Sequence, residues 1–178
     1  KEDGSLIIAF YYANEWRFMT RGSFESEQAQ LAEAIIPLDF HLTAKIGPTY
    51  LFELVGPSNR IVTRHHLENK LILLGVINTK TGIEYNRNEV VREATFIQME
   101  VVAPHSWSES FLQEVKAITD PNFEGVVVKL KNGLRFKLKT ETYVKLHRII
   151  TGEFTPKRCL ELWQQQRDGM TFDFKIPD

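Results

Sequence analysis

Cysteine is nearly absent: Cys159 stands alone among 178 residues. One thiol excludes an internal disulfide and a cysteine-built zinc cluster, and it fits a reducing, cytoplasmic compartment. Long apolar runs are missing as well. Nothing can span a bilayer as a helix, and no signal peptide precedes the polar opening, so no membrane partner is expected. Nor is there an excess of either charge. Lys and Arg number 22 against 23 Asp and Glu, a net charge of −1, which gives no global reason to expect nucleic acid, because electrostatic binders carry a basic surplus. No stretch looks like a flexible linker or a repeat. With 43% hydrophobic residues the chain suits one domain with a sizeable core, or one and a small appendage.

What is present reads as strands with a few helices. Ser5–Tyr12 and Trp16–Thr20 are β-branched and aromatic runs around Ala13-Asn14-Glu15, which predicts a hairpin. Ser23 is placed to cap a helix running through Ile36, with Pro37 as its stop. Tyr50–Val55, Ile61–Arg64 and Leu71–Asn78 read as further strands, with turns at Gly56-Pro57-Ser58-Asn59 and Thr79-Lys80-Thr81-Gly82. Ser106-x-x-Glu109 is a capping box opening a helix to about Ile118, and Thr140 and Thr155-Pro156 look like two more helix starts. Hairpin strands with helices between them indicate an α+β fold of antiparallel sheets and flanking helices. Residues 1–150 are expected to form the main domain, and 151–178 a C-terminal helix and tail that caps it or begins another.

The segment Gly125–Lys139 can be read in most detail. Val126, Val128 and Leu130 alternate with Val127, Lys129 and Lys131; on the return, Leu134, Phe136 and Leu138 alternate with Arg135, Lys137 and Lys139. Period-2 geometry puts each set on its own face. The apolar sets agree if Leu130 pairs with Leu134 around a Lys131-Asn132-Gly133 loop with Gly133 left-handed. A two-residue Asn-Gly turn would slip the register by one and mix apolar with cationic neighbours. Regular alternation would turn Glu124 toward the core face, which a carboxylate tolerates poorly, and a bulge at Gly125 would re-aim it.

A face of paired lysines suits phosphate. Lys137 and Lys139, at i and i+2, can bracket one phosphate and offset the charge that builds as pyrophosphate leaves; a carboxylate such as Glu124 at the rim can hold Mg²⁺. The bland alternative is a solvated strand face. Lys1 in Lys1-Glu2-Asp3-Gly4 has the makings of a nucleophile. Its amine must be neutral to attack phosphorus, and nearby cations and burial favour the neutral form. Asp3-Gly4 would turn the chain tightly, with Gly4 allowing close approach of ribose or backbone; otherwise the four residues are a turn before a strand. Glu53, sharing a strand face with Leu51 and Val55, is either an edge-strand gatekeeper or a pocket acid that takes ribose hydroxyls or metal. A reactive lysine needs walls on both sides, so part of the domain is expected upstream of Lys1.

In combination these residues resemble a known family. Lys1-Glu2-Asp3-Gly4-Ser5, Thr20-Arg21-Gly22-Ser23 with Ser26-Glu27-Gln28-Ala29, Phe52-Glu53, Asn59-Arg60-Ile61-Val62, Leu71–Leu74, Glu124-Gly125-Val126-Val127 and Phe136-Lys137-Leu138-Lys139-Thr140 through Tyr143 to His147 are similar to the T-even-type phage tRNA-repair RNA ligases. The resemblance implies a covalent nucleotidyltransferase fold, and ATP and Mg²⁺ as cofactors. It implies RNA with 5′-phosphate and 3′-hydroxyl ends as partner, tRNA among the candidates. By the same resemblance Lys1 is the adenylylated lysine, with Asp3 and Gly4 completing its motif. Arg21 serves the nucleotide step, Glu53 and Glu124 are the acids of two further motifs, and Lys137 and Lys139 are the paired lysines of the last. Leu73 and Val127 would pack on the faces of adenine. The family's nucleotide contacts before the lysine and its helical tRNA-serving domain have no counterpart here, so tRNA specificity does not carry over.

Competing readings are a non-catalytic nucleotide- or RNA-binding module, a DNA ligase and an mRNA capping guanylyltransferase. GTP use would favour capping, and indifference to ribose in the sealed strand would favour DNA ligase. Adjacent His65 and His66 at a strand end point to opposite faces and are not expected to share a metal. Trp107 and Trp163 read as packing anchors. Oligomeric state is not encoded in any of these features.

Overall fold

The computed structural model describes residues 1–64, 66–105, 108–150, 160 and 163–164. His65, Ser106, Trp107, Cys159 and the Thr155-Pro156 helix start lie outside the described residues, as does nearly all of the 151–178 tail.

Two residues, Ala13 and Asn14, turn the chain back on itself, both with left-handed φ (50° and 67°). That geometry matches the twist of the strands it joins, β1 (Ser5–Tyr12) and β2 (Glu15–Met19). β1 also pairs antiparallel with β3 (Pro48–Val55), and β3 with β4 (Lys70–Asn78). A two-residue strand β5 (Glu100–Val101) completes a sheet ordered β2-β1-β3-β4-β5. It runs parallel to β4, so the expected purely antiparallel sheet has one parallel edge.

Alternation decides which face of this sheet is core. Ile7, Ala9, Phe18, Tyr50, Phe52, Leu54, Leu73 and Val76 point to one side and are buried together with Ala32, Phe40 and Ala94 from helices α1 (Glu27–Ile35), α2 (Phe40–Thr43) and α3 (Arg87–Phe96). Burying side chains of this size contributes about 1.5–3 kcal/mol each. The other face carries Leu6 opposite Glu53 and Ile72, then Ile8 opposite Leu51 and Gly75.

A second sheet, β6 (Gly125–Lys129) with β7 (Arg135–Lys139), has the expected register: Lys129 pairs with Arg135, and Leu130 N donates to Leu134 O at 2.9 Å or less (2.8 Å). Gly133 is left-handed at φ 86°. Its apolar face, with Val126, Val128 and Leu138, packs on Phe111 and Val115 of α4 (Phe111–Ala117). After Lys139 the chain enters α5 (Glu141–Ile150), capped as expected by Thr140, whose Oγ1 accepts from Tyr143 N at 3.1 Å.

Other boundaries differ from expectation for identifiable reasons. Ser26 rather than Ser23 caps α1, accepting from Ala29 N at 3.2 Å, while Ser23 Oγ accepts from Glu25 N in the preceding turn. α4 begins at Phe111, later than its proposed capping box. Ile61–Arg64 forms no strand; its amides turn to the Asp3 side chain instead of a neighbouring strand.

Candidate active site

Lys1 lies at the entrance to β1, where its main-chain nitrogen donates to Gly125 O at 2.7 Å. This contact brings the first strand of the large sheet against the first strand of the hairpin. The Lys1 side chain then reaches Glu124, with Nζ 2.7 Å from Oε2, and also donates to Glu2 O at 3.2 Å. Lys139 approaches the same carboxylate from the neighbouring strand, Nζ to Oε1 at 2.9 Å. Glu124 is 2% exposed, so two cations neutralise an acid that could not otherwise be buried as an ion.

The aim of Glu124 comes from Gly125. The glycine adopts φ +144°, and a Cβ there would meet Leu138 O at 2.1 Å. Gly125 still pairs in register with Lys139, so this backbone conformation, rather than the expected bulge, turns Glu124 away from the apolar face. Thr140 N donates to Glu124 O at 3.0 Å, tying the base of the hairpin to the start of α5.

Asp3 is 4% exposed and saturated with donors. Val62 N and Thr63 N donate to Oδ2 at 2.8 and 2.7 Å, and Tyr143 Oη donates to Oδ1 at 2.6 Å. Burial pushes its carboxyl up, but the hydrogen bonds from Tyr143, Thr63 and Val62 outweigh it and leave the carboxyl below its ordinary value. Both oxygens are thus committed to the fold. Asp3, expected in the catalytic set, here ties the Lys1 loop to the 62–63 backbone and to α5, contacts that suit a clamp. Tyr143, to which the sequence reading gave no role, completes the clamp and lies under Lys139, whose Nζ is 4.8 Å from the ring centroid. Burial and the Asp3 contact push its phenol upward. Gly4 serves backbone approach, since a Cβ there would meet Leu54 O of β3 at 2.1 Å.

Glu53 faces the same space from the large sheet. Burial raises its carboxyl to about 7; Lys1 and Lys137 oppose the rise, and Glu124 adds to it. Those couplings group Lys1, Glu53, Glu124 and Lys137 around one cleft. Lys137 is exposed and has no ion-pair partner among the described residues, and its strand partner Val127 is half-exposed on the same face. Lys1, Glu53, Glu124, Lys137, Lys139 and Val127 are therefore brought together. Arg21 is exposed on the bend after β2, with no ion pair among the described residues. The expectation for Leu73 is corrected. It pairs with Phe52 on the core face and is 0% exposed, so it presents no surface to a nucleobase; Ile72, its neighbour opposite Glu53, is on the other face and is itself 1% exposed.

The donor set suits a hard divalent cation. Glu124, in contact with two lysines, faces a Glu53 that is reluctant to ionise in the same space, and a cation between them would relieve the burial of Glu53 and its repulsion by Glu124. No cluster of three or more His, Cys, Asp or Glu occurs among the described residues, so phosphate oxygens and water would supply the other ligands, the usual arrangement for Mg²⁺. His66 is engaged elsewhere, its Nε2 lying 3.1 Å from Glu2 Oε2.

The sequence resemblance named Lys1, Glu124 and Lys139 as site residues, and the fold brings these three side chains together. The RNA ligase family profile matches residues 1–144. The chain belongs to the RNA ligase family. Solved structures show the same fold. Naegleria gruberi RNA ligase, as a lysine-to-alanine mutant with ATP and Mn, superimposes at a TM-score of 0.63 and 14% identity over 83% of this chain and 49% of that one. Another mutant of that enzyme, with AMP and Mn, gives 0.58 and 16% over 83% and 50%. An Aquifex aeolicus protein, described as a proposed ATP-dependent DNA ligase, gives 0.66 and 19% over 95% and 52%. The chain thus spans about half the length of these proteins. Likeness at such identities establishes the ligase nucleotidyltransferase fold, and the chemistry has to be argued from the site. Among the described residues no helix is long and apolar enough to cross a membrane.

Proposed function

We propose that the chain is the nucleotidyltransferase part of an ATP-dependent RNA ligase, with Lys1 as the residue that carries AMP. The observation that carries this reading is the Lys1–Glu124–Lys139 knot at 2.7 and 2.9 Å, facing a Glu53 whose carboxyl is raised to about 7. Residues 1–150 form the catalytic unit in this proposal, and 151–178 a cap or the start of a further region.

A lysine amine attacks phosphorus only when neutral, so a proton must leave Lys1 before the bond forms. Glu124 is the acceptor already at hydrogen-bond distance for that proton. Once neutral, the amine uses its lone pair to form a bond to the α-phosphorus of ATP, and the nitrogen sheds its second proton to solvent or to the departing pyrophosphate. The bond to the bridging β-phosphate oxygen breaks, and pyrophosphate leaves with the electron pair. Lys137 and Lys139 neutralise charge that builds on the phosphates. Glu53 and Glu124 would hold Mg²⁺ or Mn²⁺, which supplies charge neutralisation at the phosphate oxygens. Exposed Val127 on the hairpin is placed to border the nucleoside.

In the second step an RNA 5′-phosphate oxygen displaces the lysine nitrogen, which regains a proton, and AMP passes to the RNA end. The 3′-hydroxyl of the other end then attacks the 5′-phosphorus, and AMP departs. The partners are accordingly RNA ends, with tRNA as one candidate, in a cytoplasmic setting. The test is sealing of a 5′-phosphorylated RNA to a 3′-hydroxyl RNA with ATP and Mg²⁺, beside matched DNA ends. RNA joining that Lys1→Ala abolishes supports the proposal. Equal joining when both ends are DNA would move it to DNA ligation, and transfer of GMP from GTP would move it to capping.

A further inference from the structure

We infer that Glu84 is a positioning residue for this cleft: one carboxylate on the large sheet holds the tip of the β6–β7 hairpin through Lys129 and Arg135. Only its catalytic consequence rests on the ligase reading.

The turn after β4 folds the chain back along its own strand. Asn78 N donates to Ile83 O and Tyr85 N to Val76 O, each at 2.9 Å, and Glu84 bridges to Ile77. The Glu84 carboxylate thereby comes over Gly75, where a Cβ would lie 3.7 Å from Oε1. Gly75 is opposite Leu51, on the sheet face that carries Glu53. Glycine leaves that space to the incoming side chain.

From the other sheet, Lys129 and Arg135 are the cross-strand pair at the tip of the hairpin. Lys129 Nζ is 2.9 Å from Glu84 Oε2, and the Arg135 guanidinium donates to Oε1. Burial alone would raise the Glu84 carboxyl, yet hydrogen bonds from Arg135 and Lys129 hold it below its ordinary value. The hairpin is therefore pinned twice. At its base its own acid, Glu124, takes Lys1; at its tip its two cations take an acid from the large sheet. Lys139 and Arg135 are four residues apart on β7, roughly 13 Å at the rise of a strand. Val127 and Lys137, which line the cleft, lie between the two pins.

Without Glu84, Lys129 and Arg135 are like charges directly opposite each other, and nothing offsets their repulsion. The tip lifts, and Lys137 loses its fixed distance from Glu53. Because Glu84 touches no reacting atom, its loss acts only through the placement of Lys137 and lowers kcat/KM.

The experiment compares the parent, Glu84→Gln, and the double exchange Glu84→Arg with Arg135→Glu, which restores one acid between two cations. Two readouts are taken: KM for ATP against kcat for lysine labelling, and nucleotide-free amide hydrogen exchange across residues 125–139. Glu84→Gln is expected to lower kcat/KM about 3- to 10-fold, the range for two partly exposed pairs. Exchange in the hairpin rises in the single variant, and the double exchange returns both readouts toward the parent. Hairpin exchange identical in parent and Glu84→Gln overturns the inference whatever labelling shows. An unchanged kcat/KM in Glu84→Gln also overturns it. Absence of any label from the parent counts against the ligase reading alone, and hydrogen exchange then decides the role of Glu84.

Discussion

Replacing Asp3 by alanine separates a clamp from a catalyst. The substitution removes a buried carboxylate that takes three hydrogen bonds, from Val62 N at 2.8 Å, Thr63 N at 2.7 Å and Tyr143 Oη at 2.6 Å. A donor left unsatisfied in the interior costs about 1–3 kcal/mol, and two of these donors are backbone amides that cannot rotate to another partner. The expected loss is on the order of 4 kcal/mol, which in a chain of this size lowers the melting temperature by roughly 10 °C. Asp3→Asn keeps the shape and one acceptor oxygen, so about 1–2 kcal/mol is expected. Tyr143→Phe removes a single donor and costs a similar amount.

The pH dependence has a definite sign. The folded Asp3 carboxyl lies below its unfolded value, so its contribution is present above an unfolded pKa of about 3.9 and is lost as pH falls through the folded one. Denaturant melts of the three variants and the parent across that range supply the assay. If Asp3→Ala melts with the parent but no longer takes up AMP, the clamp assignment is wrong and Asp3 acts in the chemistry.

Three further outcomes follow from the cleft. The Glu53 carboxyl should titrate near its expected value of about 7 by NMR without metal, and lower once Mg²⁺ and ATP are bound. Its raised value makes ionisation cost stability as pH rises from 4.5 toward 7, and Glu53→Gln should flatten that decline. A metal-free midpoint at 4.5 would show that the group is not desolvated. Gly125→Ala should destabilise the protein by about 1–3 kcal/mol or more, because a left-handed φ is combined with a clash against Leu138 O; an unchanged melt refutes the role given to this glycine in aiming Glu124. Lys137→Ala should melt within about 0.5 kcal/mol of the parent, since the side chain is exposed and pairs with nothing described, yet AMP uptake should fall sharply. Undiminished uptake would remove Lys137 from the phosphate-binding set.

Much of this arrangement was legible where strict alternation met turn chemistry. The β6–β7 register followed from two period-2 patterns that agree in only one pairing, with Gly133 free to take the left-handed φ. Lys1, Glu53, Glu124, Lys137 and Lys139 were legible as a set, and the fold gathers them. Side-chain to backbone bonding was harder to foresee. Ile61–Arg64 has a strand's composition, but the Asp3 carboxylate claims its amides, and nothing in local sequence announces a partner 59 residues away. Ser23 and Ser26 are both credible caps, and only the fold shows which is bound to the first turn of α1. The helix Arg87–Phe96 was missed although its signal was present: Asn86 and Glu89 form a reciprocal capping box. Leu73 and Ile72 are adjacent and equally apolar, so their faces were settled only by the pairing of β4 with β3.

The most direct test of the central claim is transfer of α-labelled AMP from ATP to the protein, followed on a denaturing gel with Lys1→Ala and Lys1→Arg alongside. The polypeptide that carries this chain should retain acid-labile, base-stable label in the presence of Mg²⁺, as a phosphorus–nitrogen bond requires, and both variants should retain none. Label that persists in Lys1→Ala, or no label on a folded parent with ATP and Mg²⁺ in excess, would contradict the account.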